Sequence, residues 1–235
     1  MLFINKKKKK VAILYLCLGE DNDHFEEIHS ACEKHLLPKL EKHYFVFTDD
    51  IKRYKMAKHV YPFEVPNLPE PLNEVMKLHH FLSKEDLYTG FDYIMILDPK
   101  YLVTSKVSDK DILPRSILTE RFSFLLDHTK DSLKPEDYPY ERNHESTAFV
   151  NYNRGKYYIS DSLVIGEAIA FLEMCHTIDT NILEDLKNHY ISDNVLEAHL
   201  NKYIVNLVDG RIIDNVKGLV DRNTIEVNEE ELSDS

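Results

Sequence analysis

Phe91 to Val103 read FDYIMILDPKYLV, an apolar run of strand length that breaks at Asp98-Pro99-Lys100 and resumes as Tyr101-Leu102-Val103. A run of this kind, rich in Ile and aromatics and without polar alternation, is expected of a buried strand that ends at a polar edge. In open α/β sheets a ligand lies just past the carboxyl ends of the strands, so Asp98 and Lys100 stand where chemistry is expected. Pro99 fixes its own φ and offers no backbone donor, which turns the chain and presents both neighbours to a cleft. A plain edge turn with solvated charges is the alternative.

Upstream, Val11 to Leu18 (VAILYLCL) form a second continuous apolar run, closed by Gly19, as a central parallel strand would. Phe25, Ile28, Cys32, His35 and Leu36 then recur three and four apart, the spacing of an amphipathic helix that stops before Pro38. His43 to Thr48 (HYFVFT) make another strand, stopped by Asp49-Asp50. Strand, helix, strand calls for a right-handed crossover and a parallel pair. His59 to Val65 reads as an edge strand because Pro62 would interrupt a central one. A helix follows from about Asn73 to Leu87, with Val75, Leu78, His79 and Leu82 as its buried stripe and Lys77 on the solvated side.

Downstream, Ile112 to Arg115 reads as a turn, and Phe122 to Leu126 as a short apolar run ending in Asp127-His128. Lys130 to Asn153 is a long polar loop, the kind of segment that carries lids or binding residues. Gly155 to Ile165 reads as a strand whose polar middle, Ser160-Asp161-Ser162, must be hydrogen-bonded or face a cleft. Helices are expected over Glu167 to Thr177, with Ile169, Leu172 and His176 on the core side, and over Asn181 to Asn188. A last helix starts at an Asp193-Asn194 cap and runs to about Asn206, with Leu196, Leu200, Tyr203 and Ile204 on its apolar face and Asn194, Glu197 and Asn201 opposite. Read this way, residues 1–10 are a basic leader, 11–225 a single domain and 226–235 an acidic tail.

The 235 residues, 43% hydrophobic and 30% charged, suit one well-filled core, and the net charge of -12 argues against a nucleic-acid surface. Cys17, Cys32 and Cys175, odd in number and scattered, read as free buried thiols of a reducing compartment. No stretch reaches the roughly 20 apolar residues of a membrane span, so the cytoplasm is the default location. The twelve histidines show no ligand spacing, and no P-loop, GxGxxG, GxSxG or HExxH motif is present.

Five segments in one order resemble glycosyltransferase family 6, which includes the histo-blood-group A and B transferases and the mammalian α-1,3-galactosyltransferase. They are Ser30 to Asp49 with its HYFVFTD strand, FDYIMILDPK at the place of the family's Asp-Val-Asp motif, YERNHESTAFV from Tyr140 to Val150, GKYY from Gly155, and EAHLNKY from Glu197 to Tyr203. The resemblance implies a GT-A fold, an α/β domain with a mainly parallel sheet flanked by helices. It implies a retaining transfer of galactose or N-acetylgalactosamine from a UDP-sugar to a hydroxyl of an oligosaccharide or glycolipid acceptor, forming an α-1,3 linkage. By position, Leu16, Cys17 and Leu18 would lie against uridine, largely through backbone atoms, and Lys77, Asp98, Lys100 and Asp161 would hold the donor. His128, Tyr140, Ser160 and Ser162 would meet the acceptor, and Glu197 would stand beneath the reacting sugar carbon as nucleophile or as stabiliser of the cationic transition state.

Cleavage of a glycosyl phosphate leaves negative charge on UDP and positive charge on the sugar, so a cation at one end and a carboxylate at the other fit those roles. A solvated helix-surface carboxylate is the bland reading of Glu197.

The chain also departs from the family pattern. Lys100 replaces the second metal-binding Asp, which disfavours Mn2+; Asp98 would be the metal residue if any, and Lys100 itself would partly neutralise the diphosphate. The glycine-rich floor is here Tyr158 to Gly166 (YISDSLVIG), and the family's His-Asp-Glu is Val195-Leu196-Glu197. Asp21 takes the place of the aromatic that stacks on uracil, and only Asp127-His128 stand for a longer His-Pro-Gly-Phe-Tyr segment. A GT-A-shaped protein that has lost catalysis and serves as a binding or interaction module is the competing reading.

Overall fold

Strand β1 (Lys10–Cys17) sends alternate side chains to two different cores. Val11, Ile13, Tyr15 and Cys17 pack with helix α1 (Asp21–His35) through Phe25, Ile28 and Cys32. Ala12 and Leu14 belong to the opposite core, which holds Val75, Leu78 and Phe81 of helix α2 (Leu72–Leu82). A strand buried on both faces needs no polar alternation, which is why this run is apolar throughout. The computed structural model describes residues 8–54, 57–114, 117–121, 134–207, 211–213 and 218–222.

The strands after β1 are β2 (Glu41–Thr48), β3 (Val60–Glu64), β4 (Tyr93–Leu97), β5 (Tyr101–Val103), β6 (Ile117–Arg121), β7 (Ile159–Glu167), β8 (Arg211–Ile213) and β9 (Leu219–Asp221). A seven-stranded sheet runs in the order β3-β2-β1-β4-β7-β6-β8. Its pairings β3/β2, β2/β1, β1/β4 and β6/β8 are parallel, whereas β7 runs antiparallel to β4 and β6. Helices α4 (Ala168–Lys187) and α5 (Val195–Asn206) join α2 on one face, and α1 covers the other. This is the mainly parallel α/β architecture, flanked by helices, of a GT-A fold. Among the described residues no helix is long and apolar enough to cross a membrane. All three cysteines are free and buried.

The strands and the crossover stand near where the sequence reading puts them, except that the strand read from Gly155 begins only at Ile159; further details differ. Helix α2 ends at Leu82, short of Leu87, and its phase is turned: His79 is exposed while Lys77 is buried at 7% exposure. The lysine is drawn inward by acidic partners in the cleft. The stretch read as two helices is one, α4 over Ala168–Lys187, and its core stripe is Phe171, Met174, Cys175, Ile178 and Ile182. Ile169 and His176 face solvent, because that stripe buries a more continuous apolar surface than one phased on Ile169. The Ile112 turn is the end of a short helix, α3 (Asp109–Ile112), fixed by a Ser108–Asp111 capping box. Tyr101-Leu102-Val103 do not continue the main sheet; they pair antiparallel with β9. Phe122 to Leu126, His128 and the acidic tail from Ile225 lie outside the described residues.

Candidate active site

The chain builds β1, β2 and β3 outward in one direction and then places β4 on the other side of β1, so the carboxyl ends of β1 and β4 form a switch point. A cleft of about 610 Å³ opens there, as expected for this class of sheet. The β1 end contributes Leu16 and Leu18, the first residue of α1 contributes Asp21, and the turn after β4 contributes Asp98, Pro99 and Lys100.

Local contacts fix this rim. Asp49, just past β2, accepts from the Gly19 amide at 3.2 Å and from Asn22 Nδ2 at 2.8 Å. Thr48 Oγ1 donates to Asn22 Oδ1 at 2.6 Å, so the Thr-Asp end of the HYFVFTD segment ties the β1–α1 turn to β2. Gly19 sits at φ +57, a conformation that favours glycine. The Asp98 amide donates to Ser162 O at 3.0 Å, which brings the end of β4 to the polar middle of β7. Arg222, following β9, donates its amide to Lys100 O at 2.9 Å and holds the turn from outside.

Two lysines reach into the cleft and each meets an acid: Lys77 Nζ lies 3.7 Å from Asp161 Oδ2, and Lys100 Nζ 3.8 Å from Asp98 Oδ2. Burial acts to lower the Lys77 pKa, but Asp161, Asp98 and Glu74 outweigh it and hold the ammonium above its ordinary value. Burial, followed by the nearby Asp98, pushes the Asp21 carboxyl up. Asp98 with an ammonium in place of a second carboxylate does not fit a divalent-cation site, since that charge would repel the metal.

Glu197 is on the first turn of α5 and is 7% exposed, so it is not a solvated surface carboxylate. Tyr158 donates its hydroxyl to Glu197 Oε1 at 2.8 Å. Burial is the main cause that raises the carboxyl to about 7; Asp161 and Glu74 add to it, and the Tyr158 hydrogen bond opposes them. Glu197 and Asn194 line both the main cleft and a second cavity of about 360 Å³ walled by Tyr140, Tyr158 and Asp193.

The start of α5 is held from two sides. Asn194, at φ +51, makes no side-chain cap; Glu74 of α2 accepts from the Leu196 amide at 2.9 Å instead. On the far side, Asp185 of α4 lies 3.3 Å from His199 Nε2 and accepts from Ser146 Oγ at 2.6 Å and from the Thr147 amide at 2.8 Å. The ESTA part of the YERNHESTAFV segment therefore anchors the helix that carries Glu197. Its Tyr140 donates to Tyr157 O and packs against Gly155, where an added Cβ would come within 2.3 Å of the ring. That contact accounts for the glycine of GKYY.

Of the residues expected at the site, Leu16, Leu18, Lys77, Asp98, Lys100, Ser160, Asp161 and Glu197 line the main cleft. Tyr140 lines the second cavity. Cys17 could meet a ligand through its backbone alone: strand alternation sends its side chain into the α1 core, where burial raises its thiol pKa strongly. Ser162 is 2% exposed and bonded to Ser160 Oγ at 2.8 Å, behind the cleft wall. Glu74 and Tyr158 were not foreseen. Glu74 lies one turn before Lys77, a spacing that could have revealed it, and Tyr158 lies within GKYY.

A family model described as Glycosyltransferase family 6 matches residues 73–215. The O-antigen biosynthesis glycosyltransferase WbnI of Escherichia coli is 23% identical over 203 residues, covering 82% of this chain and 81% of its own. The N-acetyllactosaminide alpha-1,3-galactosyltransferase-like 1 protein of Mus musculus is 36% identical over 70 residues, 30% of this chain and 21% of its own. Its Rattus norvegicus counterpart is 31% identical over 70 residues.

Proposed function

The chain belongs to glycosyltransferase family 6, and on that premise we propose that it transfers a hexose, galactose or N-acetylgalactosamine, from a UDP-sugar to a glycan hydroxyl with retention, forming an α-1,3 bond. The observation that carries this reading is the position of Glu197, a buried carboxylate on the partition between the cleft that holds Lys77 and Lys100 and the smaller cavity beside Tyr140. The donor diphosphate would lie toward the two lysines, with uridine against Leu16 and Leu18, and the acceptor would enter from the Tyr140 side. The C1–O bond to the β-phosphate breaks with its electron pair going to UDP. The acceptor oxygen bonds to C1, and its proton passes to the departing phosphate oxygen. Lys77 and Lys100 offset the charge that develops on UDP, and ionised Glu197 stabilises or captures the cationic sugar from below. The Lys100–Asp98 pair supports a reaction that needs no divalent cation. The free buried thiols suit the cytoplasm.

A screen of UDP-sugars for hydrolysis and for transfer to galactoside acceptors tests this, with Glu197→Gln as the inactive control. A second reading, a binding module without catalysis, is favoured by the engagement of both cleft lysines by Asp161 and Asp98. Thermal stabilisation by UDP with no turnover of any UDP-sugar would establish that reading and overturn the first.

A further inference from the structure

We propose that Glu41, His43 and His59 form a divalent-metal site of the zinc type at the opposite end of the sheet from the cleft. Glu41 and His43 are two residues apart on β2 and share a face. The β2/β3 register sets Tyr44 opposite Val60, so His59 arrives beside His43 from the neighbouring chain segment. Each of the three offers one ligand atom, and these atoms lie within 4.8 Å of one another. Among the described residues this is the one group of three His, Cys, Asp or Glu side chains so arranged. Thr48, where β2 reaches the cleft end, is five residues beyond His43, or roughly 17 Å along the strand at 3.3 Å per residue.

Two imidazoles and one carboxylate are a donor set that Zn2+ accepts, with a fourth position left for water. The His43 ring is already oriented as a ligand, with Nε2 2.7 Å from Glu41 Oε1 and Nδ1 3.1 Å from the Tyr61 hydroxyl. Without metal, His43 Nε2 and Glu41 Oε1 share a hydrogen bond; a cation bound between them would take the place of that proton, with Nδ1 protonated and donating to the Tyr61 hydroxyl. Tyr61 thus occupies the outer position that fixes the tautomer of a ligating histidine. The His59 ring lies 4.2 Å from that of His43, centroid to centroid. Glu41 and His59 line an open groove of about 390 Å³ that gives a way in from solvent. Lys10 Nζ lies 3.3 Å from Glu41 Oε1 and would oppose a cation there; unlike the lone Asp98, however, Glu41 has two imidazole ligands beside it to bind the metal against that repulsion, so that the ammonium yields the carboxylate. Bound there, the metal clasps the five-residue edge strand β3, which Pro62 weakens, to β2.

Calorimetric titration of the chelator-treated full chain with Zn2+ tests the site, together with melting curves of the metal-free proteins to confirm folding. The expected result is one equivalent bound per chain and a raised melting temperature. Both His59→Ala and Glu41→Gln should weaken binding at least tenfold, while His79→Ala, at an exposed histidine elsewhere, should leave it unchanged. Absence of stoichiometric binding, or weakening in fewer than both ligand variants, overturns the three-ligand site.

Discussion

Replacing Glu197 by Gln is expected to make the protein inactive and more stable, the added stability showing only above a definite pH. The folded protein holds the Glu197 carboxyl at about 7 against an ordinary 4.5, so the native state binds the proton more tightly than the unfolded chain does. Stability is therefore fully present below about 4.5 and is lost as pH rises toward about 7. At 1.36 kcal/mol per pH unit the loss amounts to up to about 3 kcal/mol. The figure is a ceiling, because the carboxylate opens onto cleft water. Gln keeps the shape and the acceptor for the Tyr158 hydroxyl but cannot ionise, so it escapes the loss. For a chain of this length the gain corresponds to roughly 6–12 °C in Tm. Melting curves of the two proteins at pH 4.5 and pH 8.5 check this: near-equal Tm at the lower pH, and a clear advantage for the variant at the higher. A Tm difference that is absent at pH 8.5, or the same at both, refutes an ionisation cost at this residue. The expected pattern, by contrast, marks a carboxylate whose ionisation costs the fold stability.

Tyr158→Phe removes the hydrogen bond that favours ionised Glu197. The acid limb of the pH–activity profile should move up by about one unit, and an unmoved limb would separate Tyr158 from catalysis. Lys100→Asp restores a second carboxylate beside Asp98 and is expected to make transfer depend on Mn2+, whereas the parent should keep its activity in chelator; a parent that strictly needs metal contradicts the role given to Lys100. Lys77→Met leaves the Asp161 carboxylate without its cation, and urea denaturation should show a loss of roughly 3 kcal/mol. Gly155→Ala forces a Cβ onto the Tyr140 ring at a φ of +98; about 2–3 kcal/mol of stability should be lost, and an unchanged midpoint would show that the loop yields.

The strands, the crossover and the position of the cleft were legible in the sequence because two-face burial leaves an unbroken apolar run, as in Val11 to Leu18 and Tyr93 to Leu97. Helix phase was less so. Ile169 looks like a core residue, yet it is 76% exposed, and Lys77 looks solvated, yet it is buried. In both cases the deciding partners, Phe171 with Met174 and Asp161 with Asp98, lie on other turns or other elements, and no local period encodes them. Glu197 could be placed by the segment around it, but its burial depends on Tyr158 and on the anchorage that the Asp185–His199 pair gives to α5. The Glu41–His43–His59 group was hidden because its members meet across β2 and β3, sixteen residues apart in the chain from His43 to His59.

The β5/β9 ribbon ends with the Arg222 amide hydrogen-bonded to the Lys100 carbonyl. A fluorophore attached at residue 222 would thus sit beside the Lys100 turn that borders the cleft. Position 222 is therefore a reporting position, one from which a probe could sense a ligand entering the cleft without altering any side chain that lines it.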